Sequence, residues 1–110
     1  MPYNGDMLFI ETPIFSKLVY DYLSDDEYAA LQWTLVFHPK SGDVIPKSGG
    51  IRKLRWSAKG KGKRGDVRVI YYVKTAADEI WLLTLYAKNE LDTIPAHILK
   101  AIRQEIEDET

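Results

Sequence analysis

Between Lys47 and Lys74 the chain places Lys47, Arg52, Lys53, Arg55, Lys59, Lys61, Lys63, Arg64, Arg68 and Lys74 against a single acid, Asp66. The formal net charge of the whole protein is only -1, so the remaining residues carry a matching acidic excess. Crowding cations into one stretch costs self-repulsion, and a stretch that keeps them is suited to a polyanionic partner. The cations are interleaved with the phenols Tyr72 and, further on, Tyr86. Arginine and lysine hold phosphates while phenol rings offer stacking surface to unpaired bases, a combination that fits single-stranded RNA. Clustered arginines can also stabilise the extra charge of a pentacoordinate phosphate.

Other chemistries find less support. The chain has no cysteine, which removes disulfides, thiol nucleophiles and thiolate metal sites. Its two histidines, His38 beside Pro39 and His97 near the end, lie in no H-x-E or H-E-x-x-H pattern, so no metal site and no cofactor are expected. The same scarcity speaks against a two-histidine ribonuclease. If RNA is cut, the proton transfers fall to lysine, arginine, tyrosine or a partner's groups. The run Lys59-Gly60-Lys61-Gly62-Lys63-Arg64-Gly65 is a basic finger whose glycines allow close approach to phosphate. It does not match the G-x-x-x-x-G-K-[ST] pattern of a nucleotide triphosphate cradle.

These residues must be positioned by the elements around them. With 110 residues, 45% hydrophobic and 28% charged, the chain has the length and composition of one globular domain spanning 1–110. Met7 to Glu11 reads as a strand. Thr12-Pro13 supplies a cap and a first-turn proline for a helix whose apolar residues are Ile14, Phe15, Leu18, Val19, Tyr22 and Leu23. Ser24 and Glu27 form a capping box for a second helix with Tyr28, Leu31, Leu35 and Val36, ending before Pro39, which makes a helical hairpin. Residues 39–50 hold prolines and glycines at loop density. The apolar period then changes to two over Ile51–Ser57, Val67–Lys74 and Glu79–Ala87, three strands of an antiparallel meander. The first pair is joined by the basic loop at 58–65. Thr93 and Pro95 open a closing helix at about 94–108, with Ile98, Ile102 and Ile106 as its stripe and an acidic end.

The expected fold is α+β: a small antiparallel sheet in β-α-α-β-β-β-α order, with the helices mainly on one side and the N-terminal helical hairpin packed on one face. Alternation sets Leu54 and Trp56 against Lys53, Arg55 and Ser57, and Val67, Val69, Tyr71 and Val73 against Arg68 and Tyr72. In the third strand Tyr86 and Lys88 are placed opposite Leu83 and Leu85. The face away from the helices then carries Lys53, Arg55, Arg68, Tyr72, Tyr86 and Lys88. Trp33, Trp56 and Trp81 read as core residues. No apolar run is long enough for a membrane span, and the start lacks the basic and apolar regions of a signal peptide, so a cytoplasmic protein is expected.

The run Gly49-Gly50-Ile51-Arg52-Lys53-Leu54-Arg55-Trp56, the basic loop, Val67-Arg68-Val69-Ile70-Tyr71-Tyr72 and Leu82-Leu83-Thr84-Leu85-Tyr86-Ala87-Lys88-Asn89-Glu90 together resemble the RelE superfamily of bacterial toxins. Glu11 to Phe15, Tyr22 to Tyr28 and His38 to Ile45 make the chain most similar to its HigB-type branch. The resemblance implies a RelE-like fold and the toxin half of a toxin–antitoxin pair. It also implies a ribosome-dependent endoribonuclease that cleaves messenger RNA in the A site without a metal. The 2′-hydroxyl is the nucleophile in that family, and a 2′,3′-cyclic phosphate is left.

Carried onto this chain, the resemblance implies catalytic roles for Lys53, Arg55, Arg68, Tyr86 and Lys88. Arg68 would stabilise the transition-state phosphate, Lys53 would serve as base or phosphate ligand, and Arg55 would be a second phosphate ligand. RNA contacts are expected from Arg52, Lys59, Lys61, Lys63, Arg64, Tyr72 and Asn89. Some family members carry a tyrosine at the start of the last helix; this chain has Pro95-Ala96-His97 there, leaving Tyr86, Tyr72 or His97 to substitute. The implied partners are a HigA-like helix-turn-helix antitoxin, the ribosome with its messenger, and operator DNA through the antitoxin alone, with no membrane. Two other readings stay open: an RNA-binding translation blocker that does not cut, and a degenerate toxin that only holds an antitoxin.

Overall fold

A computed structural model describes residues 7–57, 66–87 and 94–109. In chain order these form β1 (Leu8–Glu11), α1 (Pro13–Tyr22), α2 (Asp25–Phe37), β2 (Asp43–Val44), β3 (Arg52–Ser57), β4 (Asp66–Lys74), β5 (Glu79–Ala87) and α3 (Ala96–Asp108), with a 3-10 turn at Thr75–Ala77. The strands make one five-stranded sheet in the order β1-β5-β4-β3-β2. The fold is therefore α+β, and β4, one of its two longest strands, is central in the sheet.

Local chemistry explains the helix starts. The Thr12 side chain accepts the Phe15 N–H at 3.1 Å and donates to the Leu83 carbonyl at 2.8 Å, so one hydroxyl both caps α1 and ties it to β5. Ser24 and Glu27 close the capping box reciprocally, at 3.1 and 2.9 Å. By contrast α3 begins at Pro95 without a side-chain cap, and Thr93 lies outside the described residues.

Burial divides into two clusters, one on each face of the sheet. Phe15, Val19, Tyr22 and Leu23 with Tyr28, Leu31 and Leu35 of α2 pack on Val67, Val69, Tyr71, Ile80, Leu82, Leu85 and Ala87. On the other side Leu99 and Ile106 of α3 pack on Ile51, Ile70 and Leu83, flanked by Tyr72, Trp81, Tyr86 and Ile102. Among the described residues no helix is long and apolar enough to cross a membrane.

Several expectations are corrected here. The sheet is mixed, because β1 runs parallel to β5. Helices α1 and α2 share one side, and α3, whose side the sequence leaves open, covers part of the second face, where Ile70, Trp81 and Leu83 supply the apolar surface it needs. Its stripe is Leu99, Ile102 and Ile106, while Ile98 is 44% exposed. Leu83 shares the face of Tyr86 rather than opposing it. The register steps from Ile70 opposite Thr84 to Tyr71 opposite Leu82, so Leu83 is an extra residue in β5 and resets the alternation. Trp33 is not core; it is 58% exposed and stacked on Phe37 at 5.5 Å. Two residues past Leu31, it points nearly opposite to the buried side of α2. Ile14 is likewise exposed, on the outer side of α1.

The stretch expected to be loop also contains a short strand. The buried Tyr71 hydroxyl accepts the Gly42 N–H at 2.9 Å and donates to the Pro39 carbonyl at 2.7 Å. Arg52 donates to the Gly42 carbonyl at 2.6 Å and to that of Lys40 at 3.3 Å. Together they hold the chain so that Asp43 and Val44 pair with Lys53 and Arg52.

Candidate nucleic-acid interface

The central strand β4 fixes the site. Arg68 stands directly opposite Arg55 of β3 on one side and Tyr86 of β5 on the other. Directly opposed side chains on a sheet lie about 5 Å apart at Cβ, so a row of two guanidinium groups and a phenol crosses three strands on one face. The next row on that face is Lys53, Ile70 and Thr84. Lys53 and Tyr86 also border a small recess with Ile45, Ile70, Ile94 and Leu99, which places Lys53 beside an apolar wall. Four of the five residues expected to be catalytic, Lys53, Arg55, Arg68 and Tyr86, are thus brought together. The fifth, Lys88, lies outside the described residues.

Burial grades the row. The Arg55 side chain is 68% exposed, whereas that of Arg68 is 14% exposed. The Arg68 Nη1 atom is buried and has no hydrogen-bond partner among the described residues. Leaving such a donor unmatched costs about 1–3 kcal/mol or more, which an arriving anionic oxygen would relieve. Burial raises the Tyr86 pKa above the ordinary phenol value, and the positive charge of Arg68 opposes that rise in part. Tyr86 is accordingly a protonated phenol at neutral pH, a donor rather than a base.

Sequence reasoning passed over one member of this cluster. Asp66, counted only as the lone acid among cations, has its Oδ2 3.4 Å from Arg55 Nε and 3.8 Å from Arg68 Nη1. The signal was present: Asp66 lies two residues before Arg68 on one strand, hence on the same face. Like charges directly opposite each other destabilise a sheet, and this carboxylate offsets the repulsion of the two arginines.

Other expected contacts are placed differently. Arg52 shares the parity of Leu54 and Trp56, away from Arg55 and Arg68, and its guanidinium clamps the Lys40 and Gly42 carbonyls. Tyr72 is on the face of Arg68, but its hydroxyl is bonded to Glu107 of α3. With burial as the first cause and Glu107 as the second, its pKa is pushed up to about 12. Lys74, a member of the basic stretch, is buried and donates to the Ile106 and Glu109 carbonyls, both at 2.8 Å. There its ammonium complements the negative end of the α3 dipole. Lys59, Lys61, Lys63, Arg64 and Asn89 lie outside the described residues. His97 sits in the first turn of α3. No cluster of metal-binding side chains occurs among the described residues. Compared with models of known protein families, the chain matches none.

Proposed function

We propose that this protein is the toxin of a toxin–antitoxin pair, of the RelE-like, HigB-type kind, and a metal-independent endoribonuclease acting on messenger RNA in the ribosomal A site of the cytoplasm. The observation that carries the reading is the cross-strand row Arg55–Arg68–Tyr86 with Lys53 beside it, which supports the roles that the sequence resemblance implies. The 2′-oxygen of the messenger attacks the adjacent phosphorus, and the bond from phosphorus to the 5′-oxygen breaks. The products are a 2′,3′-cyclic phosphate and a 5′-hydroxyl. Arg68, desolvated and unmatched, stabilises the charge that accumulates on the phosphorane oxygens. Arg55, exposed, captures the incoming phosphate. Tyr86 supplies the proton for the departing 5′-oxygen, and Lys53 ligates phosphate or, as the free amine, takes the 2′-proton. A HigA-like antitoxin restrains this activity.

A second reading, translation arrest without cutting, draws support from Tyr72. Its phenol is occupied by Glu107, and the chain has no tyrosine after Tyr86, so proton transfer rests on few groups. Primer extension on ribosomes programmed with two matched messengers separates the readings. One messenger is all ribose, and the other carries a single 2′-deoxynucleotide at the cut position. Cutting of the first alone is the expected result. Arrest without a cut on either would leave only the blocking role, and cutting of both would exclude 2′-hydroxyl attack.

A further inference from the structure

Resting on the reading of this face as an RNA phosphate site, we infer that Asp66 is an internal counter-anion standing where substrate phosphate binds, and that RNA must displace it. Asp66 Oδ2 reaches both Arg55 Nε and Arg68 Nη1, at 3.4 and 3.8 Å. A phosphate oxygen bridging the two guanidinium groups would need the same position. The existing contacts are ion pairs at distances too long for good hydrogen bonds, whose N···O separations run from about 2.7 to 3.2 Å. The Nη1 of Arg68 is buried and, among the described residues, has no hydrogen-bond partner even with Asp66 beside it. Asp66 therefore neutralises the arginines without satisfying them, which is what a displaceable occupant requires. A phosphate presents more acceptor oxygens than a carboxylate and can complete the bonds that Asp66 leaves open.

The side chain of Asp66 is 30% exposed, so it can swing towards solvent when phosphate enters. Its effect is to lower affinity for loose polyanions in general. Tight association is then reserved for RNA that brings further contacts, such as a messenger held in register by the ribosome. Because Asp66 acts through Arg55 and Arg68, it is a positioning and affinity-setting residue and not a catalytic one.

The test is fluorescence anisotropy of a short 2′-O-methyl single-stranded RNA, which cannot be cut, titrated with purified full-length protein. Wild type, Asp66→Asn, Asp78→Asn, and Asp66→Asn combined with Arg55→Gln and Arg68→Gln are compared, each checked for folding by circular dichroism. Asp78→Asn removes the same charge at an exposed turn where a positive φ of 55° suits asparagine. The expected result is a three- to tenfold gain in affinity for Asp66→Asn, less than twofold for Asp78→Asn, and loss of the gain in the triple variant. Wild-type binding with no gain, or a loss, in Asp66→Asn overturns the inference while leaving the RNA-binding face intact. Equal gains in both asparagine variants show a general charge effect and overturn it as well. No binding by either wild type or Asp66→Asn overturns the functional reading of the face and the inference with it.

Discussion

Arg68 is the residue whose surroundings most constrain its role. It is nearly buried, opposed by Arg55 and Tyr86, and its Nη1 has no hydrogen-bond partner among the described residues. Substituting Arg68 by alanine should lower the single-turnover cutting rate on ribosomes about 100- to 1,000-fold, the range for removing a preorganised transition-state donor. Arg68→Lys should recover only part of it, because an ammonium cannot span two phosphate oxygens as a guanidinium does. Tyr86 makes a different prediction. Its raised pKa keeps the phenol protonated through neutral pH and past the ordinary value of about 10. Cutting by wild type should therefore not fall below that pH through loss of this proton, and Tyr86→Phe should lower the rate about 100-fold. An alkaline limb well below that value, still present in Tyr86→Phe, would assign the acid elsewhere. At this scale the sequence was informative: the shared face of Lys53, Arg55 and Arg68 was legible because β3 and β4 keep strict alternation around them, and Tyr86 joins that face from β5 beyond the Leu83 bulge. Asp66 was missed because an acid in a basic run reads as an exception rather than as a member.

At the scale of elements, the first part of the loop between α2 and β3, Pro39 to Gly42, is held by the Tyr71 phenol and the Arg52 guanidinium. Tyr71→Phe removes both hydroxyl bonds and strands the Gly42 N–H and the Pro39 carbonyl. Urea unfolding should show a loss of about 1–3 kcal/mol, with faster amide exchange at Gly42. The same clamp explains why β2 could not be read beforehand. Two residues carry no periodicity, and their pairing is decided by Tyr71 and Arg52, which are distant in sequence. The Leu83 bulge was hidden for a related reason: in Leu82-Leu83-Thr84-Leu85 the run of similar side chains gives no sign of which residue is extra. The side chosen by α3 was also illegible from its own stripe, which shows only that one flank is apolar. The clue lay in the sheet, where Ile70, Trp81 and Leu83 left a second face apolar. The parallel pairing of β1 with β5 joins residues about seventy positions apart, beyond any local pattern.

At the scale of the whole molecule, charge and burial set the conditions under which the protein works. Tyr28, Tyr71 and Tyr72 all have pKa values raised above the ordinary phenol, with burial the first cause in each. A raised folded value means the unfolded chain ionises first. These groups therefore contribute stability that is complete below about pH 10 and is lost as pH climbs through the folded values. Urea midpoints should hold steady on this account from neutral pH to about 10 and then fall, less steeply in Tyr28→Phe. The basic stretch predicts a second dependence. If about three cations meet RNA phosphates, affinity should drop about twentyfold between 50 and 200 mM salt.

One face of the sheet, rather than the basic stretch at large, is predicted to act on the messenger. Arg52→Gln offers the sharpest comparison with Arg68→Gln. Both remove one positive charge from neighbouring strands, but Arg52 clamps the Gly42 carbonyl on the opposite face, a bond that glutamine can still donate. Primer extension on programmed ribosomes, with both variants shown to be folded, reads the difference directly. The predicted result is discrete messenger cuts by wild type and Arg52→Gln at similar rates, and none above background by Arg68→Gln. Equal loss in both variants, or full cutting by Arg68→Gln, would contradict the account.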